Sequence, residues 1–174
     1  MKMKRIIALA LSLMLILGVS AGLADEKTEL GSVEAFSIWS IIPEGYTFSL
    51  ITSNGLNLVG ILSGGEGKPT VTVSIAFSEE YAGVERFNDV DEQTVQEIKD
   101  SFLNMDDVIF EDLETAYGTR LLKVTQANRS FADIYSIYKG YETEFVVAAQ
   151  SEVTDEDIQM LVQFISDMDF VAVK

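Results

Sequence analysis

The chain has 174 residues, 28 of them acidic against 12 basic, for a net charge of −16. It contains neither histidine nor cysteine. That excludes Ser-His-Asp and Cys-His catalysis, imidazole or thiolate metal sites, disulfides and histidine titration near neutrality. So acidic a surface repels nucleic acid and anionic lipid, favours solubility, and would attract a basic partner or cations.

Lys2, Lys4 and Arg5 precede an apolar run from Ile6 to Leu17, broken only by Ser12, and the small residues Gly18, Ser20, Ala21, Gly22 and Ala24 follow. This is the three-part layout of a secretory signal. The run is shorter than the roughly 20 apolar residues a membrane-spanning helix needs. Residues 1–24 are therefore read as a signal peptide cut after Ala21 or Ala24; the second fits better, since acidic sequence starts immediately after it. Without a cysteine at the junction there is no lipid-attachment site. The expected product is secreted, is not a lipoprotein and has no membrane attachment after cleavage. Residues 25–32, DEKTELGS, carry no period and are expected to form a flexible lead-in. Residues 33–174 are expected to fold as a single domain, large enough to rest on its core without covalent staples.

VEAFSIWSII, ended by PEGY, reads as a first strand, with Phe36, Ile38 and Ile42 on one side and Trp39 and Ile41 on the other. YTFSLIT follows and is stopped by SNG. LNLVGIL is apolar on both faces. TVTVSIAF alternates cleanly, placing Val71, Val73, Ile75 and Phe77 on one buried face. The period then becomes helical in DVDEQTVQEIKDSFLNM, where Val95, Ile98, Phe102 and Met105 share a stripe and acidic residues gather at the amino end. Four more strands are predicted: VIFEDL, RLLKVTQ, ADIYSIY and EFVVAAQ. Tyr117-Gly118 and Lys139-Gly140 mark turns between successive pairs. TDEDIQMLVQFISDM is a second helix, capped by Thr154 and buried through Ile158, Leu161, Val162 and Ile165. FVAVK ends as a short edge strand or an extended tail. Four strands, a helix, four strands and a helix imply an α+β fold, a mostly antiparallel β-sheet with helices packed on it.

The stretch FSIWSIIPEGY, the helix that follows a strand ending in FSEEY, and the closing IQMLVQFISDMDF resemble in order the PsbP/Mog-like group, over most of residues 33–171. That resemblance implies an α/β/α sandwich and a largely non-catalytic family that includes exported bacterial proteins. It carries no functional residue onto this chain.

Three local patterns invite a chemical reading. LSGGEGKPT, residues 62–70, looks like a phosphate loop. Taking Gly67-Lys68 as the terminal pair, however, puts Leu62 where the first glycine must stand and Pro69 where the hydroxyl residue must. Proline also removes a backbone N–H donor, so a turn between strands is expected. SIYK, Ser136 to Lys139, has the S-x-x-K spacing of penicillin-recognising enzymes; on a strand an offset of three sends the two side chains to opposite faces. DVDEQT begins like a calcium loop but lacks the turn glycine and terminal glutamate. Asp89 and Asp91 are expected to cap the following helix, with a weak calcium site as an alternative.

Tyr135, Tyr138 and Tyr141 crowd the Lys139-Gly140 turn, with Phe131 and Phe145 nearby. Tyrosines at a hairpin tip can form a contact surface. They can equally pair across strands, since Tyr135 and Tyr138 lie on opposite faces. The expected function is thus an exported, non-catalytic binding domain, with no cofactor, for a protein, peptide or cell-surface component. The sheet surface or this hairpin would be the contact. The alternative is a carboxylate-dependent extracellular glycoside hydrolase, which needs two carboxylates about 5–10 Å apart in a cleft.

Overall fold

Alternating apolar and polar residues turn most of the chain into strands, and in the computed structural model these strands assemble into two sheets. The structure describes residues 26–149 and 152–173; the expected signal peptide at 1–24 lies outside them. The strands are β1 (Lys27–Val33), β2 (Phe36–Ile41), β3 (Tyr46–Ser53), β4 (Asn57–Gly64) and β5 (Thr70–Phe77), followed by helix α1 (Glu92–Phe102). Then come β6 (Val108–Glu114), β7 (Arg120–Gln126), β8 (Phe131–Tyr138) and β9 (Tyr141–Ala148), helix α2 (Asp155–Ser166) and β10 (Asp169–Ala172). The larger sheet has the order β3-β4-β5-β9-β8-β7-β6, and the smaller one β1-β2-β10. All pairings are antiparallel, so the fold is α+β.

The expected flexible lead-in is corrected by this arrangement: residues 27–33 are a strand of the small sheet. Its burial escapes a period-two reading because the register shifts between Glu29 and Gly31. The bulge changes the parity of the strand, so that Leu30 and Val33, three apart, are both buried. Gly31 takes a φ of 148° at that point, a conformation open to glycine. FVAVK resolves the other way, its first residues forming β10, an edge strand laid along β2 from Asp169 opposite Trp39 to Ala172 opposite Phe36.

Neighbouring residues of one strand point to opposite faces, and this separates two cores. Ile134 belongs to a cluster with Val71, Val73, Phe145, Leu161 and Phe164, roofed by α2 and the small sheet. Tyr135, the next residue, belongs to a second cluster with Phe87, Val95, Ile98, Leu122 and Val124, under α1. The second core is smaller and lies beneath only the β6–β7–β8 part of the sheet. Val59, Ile61, Thr72 and Ser74, on the same face farther along, stay half-buried.

Both helices start where the sequence places their caps. The Asp91 carboxylate accepts from the Thr94 N–H at 3.0 Å, and Thr154 and Asp157 exchange bonds as a capping box. Phe164 joins Ile158 and Leu161 in the buried stripe of α2, whereas Val162 and Ile165 are only half-buried. The Ser40 hydroxyl, fully buried, donates to the Phe164 carbonyl at 2.8 Å and ties β2 to α2. Lys139 and Gly140 join β8 to β9 with φ of 51° and 81°. Two positive values in succession suit the right-handed twist of a two-residue hairpin.

Candidate functional site

The three tyrosines do not form one surface. Tyr135 is fully buried in the core under α1, its ring edge-on to Phe87 and its hydroxyl donating to Glu142 at 3.1 Å. Tyr141 is buried on the opposite face, edge-on to Phe36 and Phe77; burial pushes its phenol above the ordinary tyrosine range. As a shared hairpin-tip contact, the Tyr135, Tyr138 and Tyr141 set is therefore corrected. Alternation sends Tyr135 away, and the small sheet covers Tyr141. Tyr138 remains half-exposed, its ring 4.8 Å from that of Phe170 on β10.

Tyr138 opens onto a cleft of about 340 Å³ between α2, β10 and the large sheet, within the size range of small-ligand sites. Its floor is Ser136, Thr143 and Phe145 of β8 and β9; one wall is Ile165, Met168 and Phe170. The β6–β7 loop supplies Thr115, Tyr117 and Thr119 as the opposite rim. Several of the hydroxyls are already committed to the scaffold. Ser136 donates to the Arg120 carbonyl, Thr143 to the Ser136 carbonyl, and Thr115 accepts from the Thr119 N–H. The rim is tied down by Asn88, whose amide donates to the Gly118 carbonyl and accepts from the Arg120 N–H.

Three charged side chains line the cleft: Lys27, Asp169 and Arg86. Lys27 and Asp169 sit at the ends of β1 and β10, on either side of β2, and pair at 2.7 Å. Arg86 reaches the cleft because its segment is laced to the β8–β9 turn. It bridges Tyr138, while the Lys139 and Gly140 N–H groups donate to the Glu85 and Val84 carbonyls. The Asp89 carboxylate accepts from the Arg86 N–H at 3.2 Å and fixes the turn. Among the described residues, Arg120 and Arg129 are each held by two carboxylates. Arg86, by contrast, has none in ion-pairing contact among these described residues.

The other sequence candidates have structural occupations. The glycine-rich segment turns from β4 into β5, and the Lys68 ammonium donates to the Glu44 carbonyl at 2.9 Å and lies over the Tyr46 ring. Ser136 is buried against β7; the positive φ of Lys139 brings its ammonium over the rings of Phe36 and Tyr138 instead of to the serine. Asp91 caps α1, whereas Asp89 does not, its carboxylate accepting instead from the Arg86 N–H in the preceding turn; bonds from Thr94, the backbone one foremost, hold the Asp91 carboxyl below its usual range. Among the described residues no helix is long and apolar enough to cross a membrane. A second, shallower groove brings Glu44 and Asp167 together beside Pro43 and Gln163.

No protein-family model, curated protein or solved structure matches the chain. Sequence reasoning reached Tyr138 but missed the cleft, because its lining is drawn from segments as far apart as Lys27 and Phe170. The bridging position of Arg86 depends on a single isolated pairing with β8, which leaves no local pattern.

Proposed function

We propose that this is an exported, non-catalytic binding domain and that its ligand enters the cleft beside Tyr138. The observation that carries the reading is the combination in one depression of two half-buried aromatic rings, Tyr138 against Phe170, with an arginine that has no carboxylate in ion-pairing contact among the described residues. Apolar walls with a few convergent polar groups are the ordinary make-up of a ligand site, and an unpaired guanidinium is a strong and directional donor. The resemblance to the PsbP/Mog-like group rests on the FSIWSIIPEGY stretch and the order of elements read from the sequence. It belongs to the same proposal, as does export by the N-terminal signal.

The test is nuclear magnetic resonance mapping of the intact protein against a library of small fragments. Binding should shift the resonances of Ser136, Tyr138, Thr119 and Phe170 together, and Met168→Arg, which fills the cleft, should abolish those shifts. Fragment hits that ignore the cleft would sink the proposal. A hydrolase remains the second reading because Glu44 and Asp167 share the shallower groove. It requires turnover of a polysaccharide that Glu44→Gln or Asp167→Asn removes; the cleft itself has one acid, Asp169, already paired with Lys27.

A further inference from the structure

We infer that the ligand of the cleft is a carboxylate joined to an apolar or aromatic body, with Arg86 receiving the carboxylate and Tyr138 with Phe170 the body. This rests on the cleft being the binding site and specifies what it selects. The first argument is the local balance of charge. In a chain with 28 acidic residues against 12 basic, the cleft lining holds two cations and a single carboxylate. The one carboxylate is paired with Lys27 at 2.7 Å, which leaves Arg86 as the lining cation whose guanidinium has no carboxylate in ion-pairing contact among the described residues.

The second argument is what the other basic groups are doing. Among the described residues, Arg120 bridges Asp112 and Glu92 at 2.8 Å each, and Arg129 bridges Asp155 and Glu152. Lys123 and Lys99 are paired as well, with Glu111 and Asp112. Lys68 and Lys139 also lack a carboxylate among the described residues but rest over aromatic rings; Arg86 is the one described arginine with no carboxylate in ion-pairing contact. Its backbone is fixed by the Tyr138 bridge and by the Asp89 carboxylate on its N–H, so the side chain starts from a defined origin. The planar fork of a guanidinium matches the two oxygens of a carboxylate.

The third argument is the surface beside it. Tyr138, Phe170 and Met168 give the ligand's body an apolar bed, with the Tyr138 and Phe170 rings tilted against each other at 4.8 Å and Tyr138 bridged to Arg86. Such a ligand could be a free aryl- or alkyl-carboxylic acid or the C-terminal residue of a peptide. Both present the same chemistry, and length of the attached chain separates them.

The experiment titrates the intact protein calorimetrically with four probes. These are N-acetyl-phenylalanine, its primary amide, a pentapeptide ending in phenylalanine, and the same pentapeptide amidated. The free acids should bind about tenfold or more tightly than the amides, with affinity falling as salt rises. Arg86→Gln should erase the acid–amide difference, and Arg86→Lys should restore only part of it. Tyr138→Ala should weaken acids and amides by a common factor. A peptide acid that outbinds N-acetyl-phenylalanine identifies a chain terminus as the source; equal affinity identifies the free acid. Equal binding of acid and amide, or indifference to Arg86→Gln, overturns the carboxylate while leaving the cleft as the site. Binding of no probe overturns the carboxylate inference, and the fragment mapping then decides separately whether the cleft binds anything.

Discussion

The two edges of the seven-stranded sheet solve one problem by opposite means. An edge strand offers unpaired N–H and C=O groups to any passing strand. The β6 edge carries Glu111, Asp112 and Glu114 within seven residues, and Arg120, Lys123 and Lys99 hold Asp112 and Glu111 from neighbouring elements. A second strand approaching it meets a row of charge. The β3 edge, YTFSLITS, has no charged residue in eight, and exposes Leu50 and Ile51 by 46% and 57%. Its defences are geometric. A register shift between Leu50 and Thr52 breaks the straight template, and β1 crosses over it, with Ser32 and Ser53 hydrogen-bonded and Gly31 against Leu50. One edge is guarded by electrostatics and the other by shape, so the two should fail under different conditions.

The largest effect is expected where shape does the guarding. Leu58 is fully buried beneath Gly31 and beside Leu50, and Leu58→Ala should cost about 2–5 kcal/mol in urea unfolding. Exposed β3 surface should appear at the same time, read as soluble aggregates in light scattering. A loss below about 1 kcal/mol would mean that β1 does not depend on that contact. Arg120→Ala is the counterpart on the charged side. It removes two ion pairs and a cation over the Phe87 ring, and should cost about 1–2 kcal/mol. That loss should shrink in molar salt, whereas the Leu58→Ala loss should not. Salt-independence of both would erase the distinction between the edges.

Acid should probe the charged side specifically, through the helix that backs it. Thr94 holds the Asp91 carboxyl below its ordinary range, so the charge adds stability above the unfolded value, about 3.9. The contribution is lost as pH falls through the lowered folded value. The advantage of the native protein over Asp91→Asn in urea midpoint should therefore be present near pH 6 and diminish on acidification; a constant difference would contradict the cap. The smallest effect belongs to Ile51→Lys. Its stability change should stay within about 0.5 kcal/mol, yet a lysine on that edge should suppress self-association at high concentration by sedimentation. Unchanged association would show that the bulge and β1 already suffice.

Much of this architecture was legible because the signals are local. TVTVSIAF gives β5 through strict alternation, Thr154 with three acids gives the start of α2, and Lys139-Gly140 gives a hairpin turn. The same alternation already divides Tyr135 from Tyr138. KTELGSV was illegible as a strand because its bulge puts Leu30 and Val33 on one face at a spacing of three, a parity that no period-two reading accepts. The cleft was illegible for a different reason. Arg86 reads locally as one more charged loop residue, and its meaning comes from the cleft that it faces. Spatial neighbours across the sheet decide that, and no window of sequence contains them.

The salt link between Lys27 and Asp169 joins positions 142 residues apart, and β10, with only four residues, stands largely in solvent. One wall of the cleft thus ends in a short strand secured by one neighbour strand, one surface ion pair and the packing of Phe170 against Phe36, Tyr138 and Tyr141. Short, exposed pairings of this kind open far more often than the body of a fold. Occupancy of the cleft would therefore slow amide exchange along Phe170 and Val171 before it altered any other strand, and the guest would act as a clasp on the closing stitch of the small sheet.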